Sequence, residues 1–219
     1  MFPSRIASVL GGGAGLQNNY SLAFDGTNDV LVTTSDSTLA STTYSFWAKS
    51  SETGANAGVF GHGDFKTGAF HFNYDGARPL LYANYNPTYA LRYWVDTSAQ
   101  DDGKWHHWMV YVDAGDISDS KCYVDGSALS VDATTGSGTA PQAYTEALRI
   151  GGDAASGGQH FSGNIDEFAV FDGDVTSNAS TYFNLGIPID LSGESGLVAY
   201  YRMGDGDTFP TITDNSTNS

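Results

Sequence analysis

The sequence is short of several things, and each shortage excludes a class of protein. There is one cysteine, Cys122, so no disulfide can close within the chain. Cys122 sits in an apolar alternating stretch and is expected to be a buried small hydrophobe. Basic residues are scarce: nine Lys and Arg stand against 25 Asp and Glu, a formal net charge of -16. Such a surface repels phosphate, which argues against nucleic acid and anionic membranes as partners. Glutamate is scarcer still, limited to Glu52, Glu146, Glu167 and Glu194. Glutamate favours helices, whereas aspartate favours turns and caps, so the imbalance fits a loop-rich β protein. No apolar run is long enough to cross a membrane as a helix. No charged start followed by an apolar stretch marks an export signal, and the sequons at Asn19, Asn178 and Asn215 therefore read as chance matches. Helical periodicity is almost missing. The best candidate is short, Ser177 to Asn184, with Ser177 as its N-cap.

What is present is a β protein with a large core. Of the 219 residues 40% are hydrophobic and 13% aromatic, too many for a disordered chain. Six Asp-Gly pairs, beginning at Asp25, Asp75, Asp102, Asp125, Asp172 and Asp205, punctuate the whole length. The pair combines a polar turn-former with a residue free to take positive φ, so it favours tight hairpins between short strands. Between these turns lie alternating runs: Tyr20 to Phe24, Val30 to Val32, Tyr44 to Lys49, Gly58 to Gly61, Trp105 to Val112, Ala147 to Gly151 and Phe161 to Phe171. Lys121 to Leu129 reads as a hairpin, and residues 133–142, small and polar, as a loop. In the aromatic stretch 69–95, Phe70, Phe72 and Tyr74 share one face and His71 and Asn73 the other. Many short strands with regular turn signals predict an all-β sandwich or barrel.

Several segments, in order, resemble the laminin-G-like branch of the concanavalin-A-like lectin/glucanase superfamily. Tyr20-Ser21-Leu22-Ala23-Phe24-Asp25-Gly26-Thr27-Asn28-Asp29-Val30 resembles its opening strand, and Tyr44 to Lys49 the next core strand with its Trp. Gly103-Lys104-Trp105-His106-His107-Trp108 resembles its Gly-x-Trp-His-His entry, and Tyr123-Val124-Asp125-Gly126 its hairpin. Leu148-Arg149-Ile150-Gly151 and Phe161-Ser162-Gly163-Asn164-Ile165-Asp166-Glu167-Phe168 resemble its closing strands. The resemblance spans residues 20–172 and implies a two-sheet antiparallel jelly-roll sandwich. It divides the chain into an N-terminal arm (1–19), a jelly-roll domain (20–191) and a C-terminal strand or tail (192–219). Residues 196–205 resemble a segment that often precedes the opening strand of such a module. That segment is expected either to join its own sheet or to pair with a neighbouring subunit.

Glycosidases of the superfamily need two carboxylates on one face of a strand. Here the only candidates, Asp166 and Glu167, are adjacent and expected to face opposite ways, so no catalysis is expected. No zinc spacing, serine elbow or phosphate-binding loop occurs. Asn73, Asn84, Tyr85, Tyr89, Arg92, Tyr93 and Trp94 are candidates for stacking on sugar rings and bonding their hydroxyls; the alternative is that the aromatics fill the core or a subunit interface. The resemblance also implies a structural calcium site shared by Gly26, Asn28, Asp29 and Asp166. The whole-chain flavour is similar to proteins of tailed phages. The expected role is a virion-surface structural or adhesive component, partnered by itself, other virion subunits or a cell-surface glycan. A free, extracellular carbohydrate-binding lectin is the alternative.

Overall fold

The computed structural model describes residues 16–33, 41–51, 57–62, 70–76, 78–84, 89–95, 98–99, 101–136, 147–152 and 159–216. The chain forms two seven-stranded antiparallel sheets packed face to face. The strands are β1 (Leu22–Asp25), β2 (Leu31–Val32), β3 (Thr42–Lys49), β4 (Ala57–His62), β5 (Phe70–Asp75), β6 (Arg78–Asn84), β7 (Tyr89–Trp94), β8 (Trp105–Val112), β9 (Lys121–Val124), β10 (Ser127–Ala128), β11 (Val131–Thr135), β12 (Leu148–Ile150), β13 (Ser162–Asp172) and β14 (Leu197–Tyr201). The first sheet runs β1-β13-β3-β8-β9-β10, with β14 also on β13; the second runs β11-β7-β6-β5-β4-β12-β2.

The alternation seen in the sequence decides what lies between the sheets. Tyr44 and Phe46 from β3, Phe60 from β4, Phe70, Phe72 and Tyr74 from β5, Trp108 from β8 and Phe168 from β13 are buried in one cluster. Their rings interlock: Phe46 stacks on Phe168 at 5.4 Å and Phe60 on Phe72 at 5.4 Å between centroids. Aromatic pairs at such spacings add about 0.5–1.5 kcal/mol each beyond their buried area. Cys122 joins this core, as its strand pattern predicts. The Asp-Gly turns are also as expected, since the glycine of all six has positive φ. At Asp125-Gly126 both residues do, the conformation that matches the twist of a two-residue hairpin.

A second, smaller core lies on the outer face of the first sheet. Met109, Ala169, Phe171, Leu197 and Tyr200 meet Ala179, Tyr182 and Leu191 there. The cover is a short helix, α1 (Ala179–Phe183), flanked by single tighter turns at Thr176–Asn178 and Asn184–Gly186. The helix is where the sequence placed it, but its N-cap is Asn178 and no side chain caps it. The expected loop at 133–142 is likewise revised at its start. Residues 133–135 belong to β11, whose small polar side chains sit mostly exposed on a sheet edge.

Strand β14 answers the question left by the C-terminal segment: it pairs with its own sheet, Phe168 to Phe171 against Tyr201 to Leu197. The edge of β13 is thereby shared. Its first part, Ser162 to Ile165, pairs with β1, so β14 and β1 lie end to end along one strand. Between them β13 bulges, its register against β3 shifting between Asp166 and Ala169.

Candidate functional site

Two places carry polar chemistry: the outer face of the second sheet, and the junction at the β13 bulge. The outer face is built by register alone. Leu148 and Ile150 point into the core, so Arg149 between them points out. The cross-strand partners Val32, Arg149, Gly61, His71, Tyr82 and Leu91 then form one row across β2, β12, β4, β5, β6 and β7. A second row holds Gly58, Asn73, Leu80, Tyr93 and Ala133. Arg78 lies over the Tyr93 ring, 4.3 Å from its centroid, and bonds Asp132 at 2.7 Å. His71 is buried with its ring 5.7 Å from that of Tyr82. Asn73 is buried too, its amide donating to Gln159 Oε1 at 2.7 Å. Among the described residues no helix covers this face. Gly58, Gly61, His71, Asn73 and Leu80 on it are buried, and the half-buried Tyr82, Leu91, Tyr93 and Arg149 are what it offers to a ligand.

The residues predicted to bind glycan divide between the two faces. Asn73 and Tyr93 share the outer face. Trp94 is buried in the core cluster and Arg92 is on its side of the sheet, donating to Thr134 Oγ1 at 3.0 Å. Alternation along β7 enforces this, because Tyr93 and its neighbours at 92 and 94 cannot point the same way. Asn84 and Tyr89 pair with each other at the β6–β7 end, and Tyr85 lies outside the described residues. Arg149, Tyr82 and Leu91 were missed as site residues. Only the strand register, which aligns residues up to 88 positions apart, brings them together.

At the junction, the bulge turns both acids of the Ile-Asp-Glu segment to the outer side of the first sheet, correcting the expectation that they diverge. Glu167 takes a positive φ and its N–H donates to Asp166 Oδ1 at 2.9 Å. Glu167 accepts from the Tyr200 hydroxyl and stands 3.6 Å from the Arg202 guanidinium. Asp166 is 0% exposed and Glu167 2%. Burial, followed by the neighbouring Glu167 charge, pushes the Asp166 carboxyl up to about 9. Burial also raises Glu167, to about 7, against the pull of Tyr200 and Arg202. Residues from both ends of the chain close the pocket. Arg202 donates to the Gln17 carbonyl, and Asp205 accepts from the N–H groups of Asn19 at 2.8 Å and Tyr20 at 3.1 Å.

The residues named for calcium lie on the turn after β1 and on β13. Asp29 folds back on its own turn, accepting from the Asp25 N–H at 3.1 Å, and Asp25 accepts from Thr27 and Asn28. Gly26 stands beside Ser162, four residues along β13 from Asp166, roughly 13 Å of strand. Among the described residues no three His, Cys, Asp or Glu side chains are grouped to hold a metal. Two histidines are structural. His106 binds Asp125 at 2.7 Å and Asp102 at 3.2 Å, and buried His107 pairs with Ser45 Oγ at 2.9 Å. Burial depresses His107 to about 3, so it stays neutral.

Comparisons with known proteins agree with this architecture. No curated protein matches the chain at a significant level. Among solved structures, the enzymatically active domain of tailspike protein 2 of bacteriophage CBA120 superposes with a TM-score of 0.64 at 16% identity, covering 86% of this chain and 30% of that one. A heptameric SAP-like pentraxin from Limulus polyphemus gives 0.53 at 16% identity, over 74% of this chain and 80% of that one. Domains LG4-5 of the mouse laminin α1 chain give 0.53 at 14%, over 68% and 40%. The chain thus spans less than half of the tailspike and laminin structures it resembles. At these identities the likeness is one of fold. A family model described as the concanavalin A-like lectin/glucanases superfamily matches residues 24–179, more than half of the sequence, and with the two-sheet order this makes the chain a laminin-G-type member of that superfamily.

Proposed function

We propose that this chain is a non-catalytic adhesive module of a virus particle that binds carbohydrate on the outer face of its second sheet. The observation that carries the reading is the double row of side chains on that face. Tyr82, Tyr93 and Leu91, each half-buried, supply apolar surface for a sugar ring, and Arg78, held over Tyr93, is fixed before any ligand arrives. Fixed groups bind without the cost of ordering them. The non-catalytic part is supported by the burial of Asp166 and Glu167 beneath Tyr200, Arg202 and the arm at 17–20, where no glycosidic bond can reach them. The likeness in fold to a phage tailspike is consistent with the virion setting. Subunit contacts fit the exposed Tyr20 and Phe209, which line one cleft with Leu22, Met203 and Ile212 at the meeting of the two chain ends.

A glycan array with the wild type and Tyr93→Ala tests the reading. Binding of a defined set of glycans, weakened about tenfold in the variant, is expected, since stacking on one aromatic ring contributes roughly 1–3 kcal/mol. Binding to no glycan, or binding unaffected by Tyr93→Ala and Tyr82→Ala together, overturns it. Peptide mass spectrometry of purified particles tests the virion setting, and absence of the chain from them counts against it.

A further inference from the structure

We infer that the turn after the short helix α1, tipped by Leu185, is a docking knob that seats in the cleft between Tyr20 and Phe209 of a second copy of this chain. The knob rests on the reading of that cleft as a subunit contact and is independent of glycan binding.

The first ground is the turn itself. Asn184, Leu185 and Gly186 take positive φ in succession, 43°, 57° and 89°. Asparagine and glycine enter the left-handed region readily, whereas leucine enters it against its own Cβ. The turn is tightly closed all the same. The Ile187 N–H donates to the Asn184 carbonyl and the Asn184 side-chain amide to the Ile187 carbonyl, both at 3.2 Å. A strained residue persists where its surroundings hold it, yet Leu185 is 91% exposed and Ile187 beside it is exposed too. Within its own chain Leu185 meets strain and water together. A partner that buries the side chain supplies the missing contacts.

The second ground is charge, and it selects the partner. Residues 175–189 contain no Asp, Glu, Lys, Arg or His. The acids on either side are engaged: Asp174 pairs with Lys121, and Asp190 accepts from the Ser192 N–H. Two copies of a chain of net charge -16 repel, so they meet best where no carboxylate faces another. A basic partner would be drawn to the acids and would gain nothing from a neutral apolar tip.

The third ground is the receptor. The cleft holds about 280 Å³ between Tyr20, Leu22, Met203, Phe209 and Ile212. Asp207, which also lines it, is turned onto the N–H groups of Gly204 at 2.9 Å and Thr213 at 2.7 Å. A cavity of roughly 150 Å³ with apolar walls already takes a benzene ring, so this one admits a leucine side chain. Phe209, 79% exposed, is a wall that can close on it.

Knob and cleft stand on different surfaces. Leu22 and Ile212 in the cleft pack against the main core, whereas the knob follows the helix that covers the second core. A contact between unlike surfaces is head-to-tail, and it builds a ring or a filament. Each contact is small. Two aromatic side chains bury about 300–500 Å², short of the roughly 1,200 Å² of a stable interface. Free chains therefore associate weakly.

Sedimentation at concentrations up to about 1 mM measures association of the wild type, Leu185→Gly and Phe209→Ser. The wild type is expected to associate, and more so as salt screens its charge. Leu185→Gly should weaken association about tenfold or more. In dilute solution it should also raise the melting temperature by roughly 1–4 °C, because relief of strain exceeds the added chain entropy of glycine. A leucine that merely supports the fold would shift melting the other way. Phe209→Ser should weaken association as much. Cys122 is buried, so Leu185→Cys and Phe209→Cys each carry one accessible thiol. Mixed with one of the two isotope-labelled, and oxidised with glutathione disulfide, they should yield mainly linked pairs of unlike chains. Like pairs in equal or greater yield, association unchanged in Leu185→Gly, or a melting temperature not raised by it overturns the knob. The cleft survives as a subunit contact if Phe209→Ser still weakens association. A wild type that does not associate at any of these concentrations overturns both.

Discussion

Asp166 shows how a single residue can be kept at a cost. Its carboxyl is buried beside that of Glu167, and both are raised above their ordinary values of 3.8 and 4.5. A carboxyl raised in the folded state binds protons that the unfolded chain has already released, so stability falls with pH throughout that window. The contribution is whole below about pH 4. It declines as pH rises through about 7 for Glu167 and about 9 for Asp166. Asp166→Asn keeps the acceptor for the Glu167 N–H and removes the titration. Urea unfolding should show the wild type losing stability between pH 5 and pH 9, and the variant losing less of it. At pH 9 the variant should be the more stable by on the order of 1–3 kcal/mol, the scale on which a buried polar group is left unsatisfied. Parallel pH profiles for the two proteins would refute the account. His106 runs the other way: its bonds to Asp125 and Asp102 favour the imidazolium and raise its pKa. Its contribution is present below its ordinary 6.5 and is lost as pH rises through its folded value.

At the scale of elements, the strand period of two was the readable signal. Phe70, Phe72 and Tyr74 pack inward from β5, and β8 has the bounds its alternation suggests, because one face of each must be buried. The candidate site was half legible. Period two puts Tyr93 opposite to Arg92 and Trp94, yet which side faces the core depends on partners in distant strands. Arg149 on a three-residue strand carries no local mark of belonging to the same row as Tyr82. The bulge at Asp166 was not legible either, since a bulge is set by what the partner strands demand. The arm over the junction was still less so: Asn19 and Asp205 are 186 residues apart. Among the described residues, the segment 202–205 supplies hydrogen bonds to that arm. Asp205 takes the N–H groups of Asn19 and Tyr20, and a Cβ on Gly204 would stand 2.9 Å from that of Tyr20. Asp205→Asn keeps the shape of the acceptor and removes its charge, halving the strength of bonds that are roughly twice as strong as neutral ones. Hydrogen exchange should then quicken at Asn19 and Tyr20 while the amides of β3 and β8 keep their protection. Unchanged exchange at both positions would mean that the arm is held by something else.

For the whole molecule, the decisive feature is that both ends of the sequence close one strand. Without β14, the edge of β13 from Phe168 to Phe171 would show unpaired N–H and C=O groups, a template for other strands. The second core would lose Leu197 and Tyr200 from beside Phe171 and Tyr182. Residues 214–216 fold back over the other edge of β14: Asn215 N–H donates to the Tyr200 carbonyl at 2.7 Å, and the Tyr200 N–H to Asp214 at 2.9 Å. The C-terminal segment is therefore both a core element and an edge guard. Truncation after Ser195 should lower the melting temperature and drive association through the vacated edge, visible as higher-mass species in size-exclusion chromatography with light scattering. A peptide of residues 196–219 supplied in trans should bind the truncated protein and disperse the higher-mass species, because it covers the open edge and returns Leu197 and Tyr200 to the second core. The net charge of -16 opposes association, so the higher-mass species should grow as added salt screens that repulsion. A truncated chain that forms no added higher-mass species and keeps its melting temperature, or that ignores the peptide, would show that β14 merely lies on a sheet already complete.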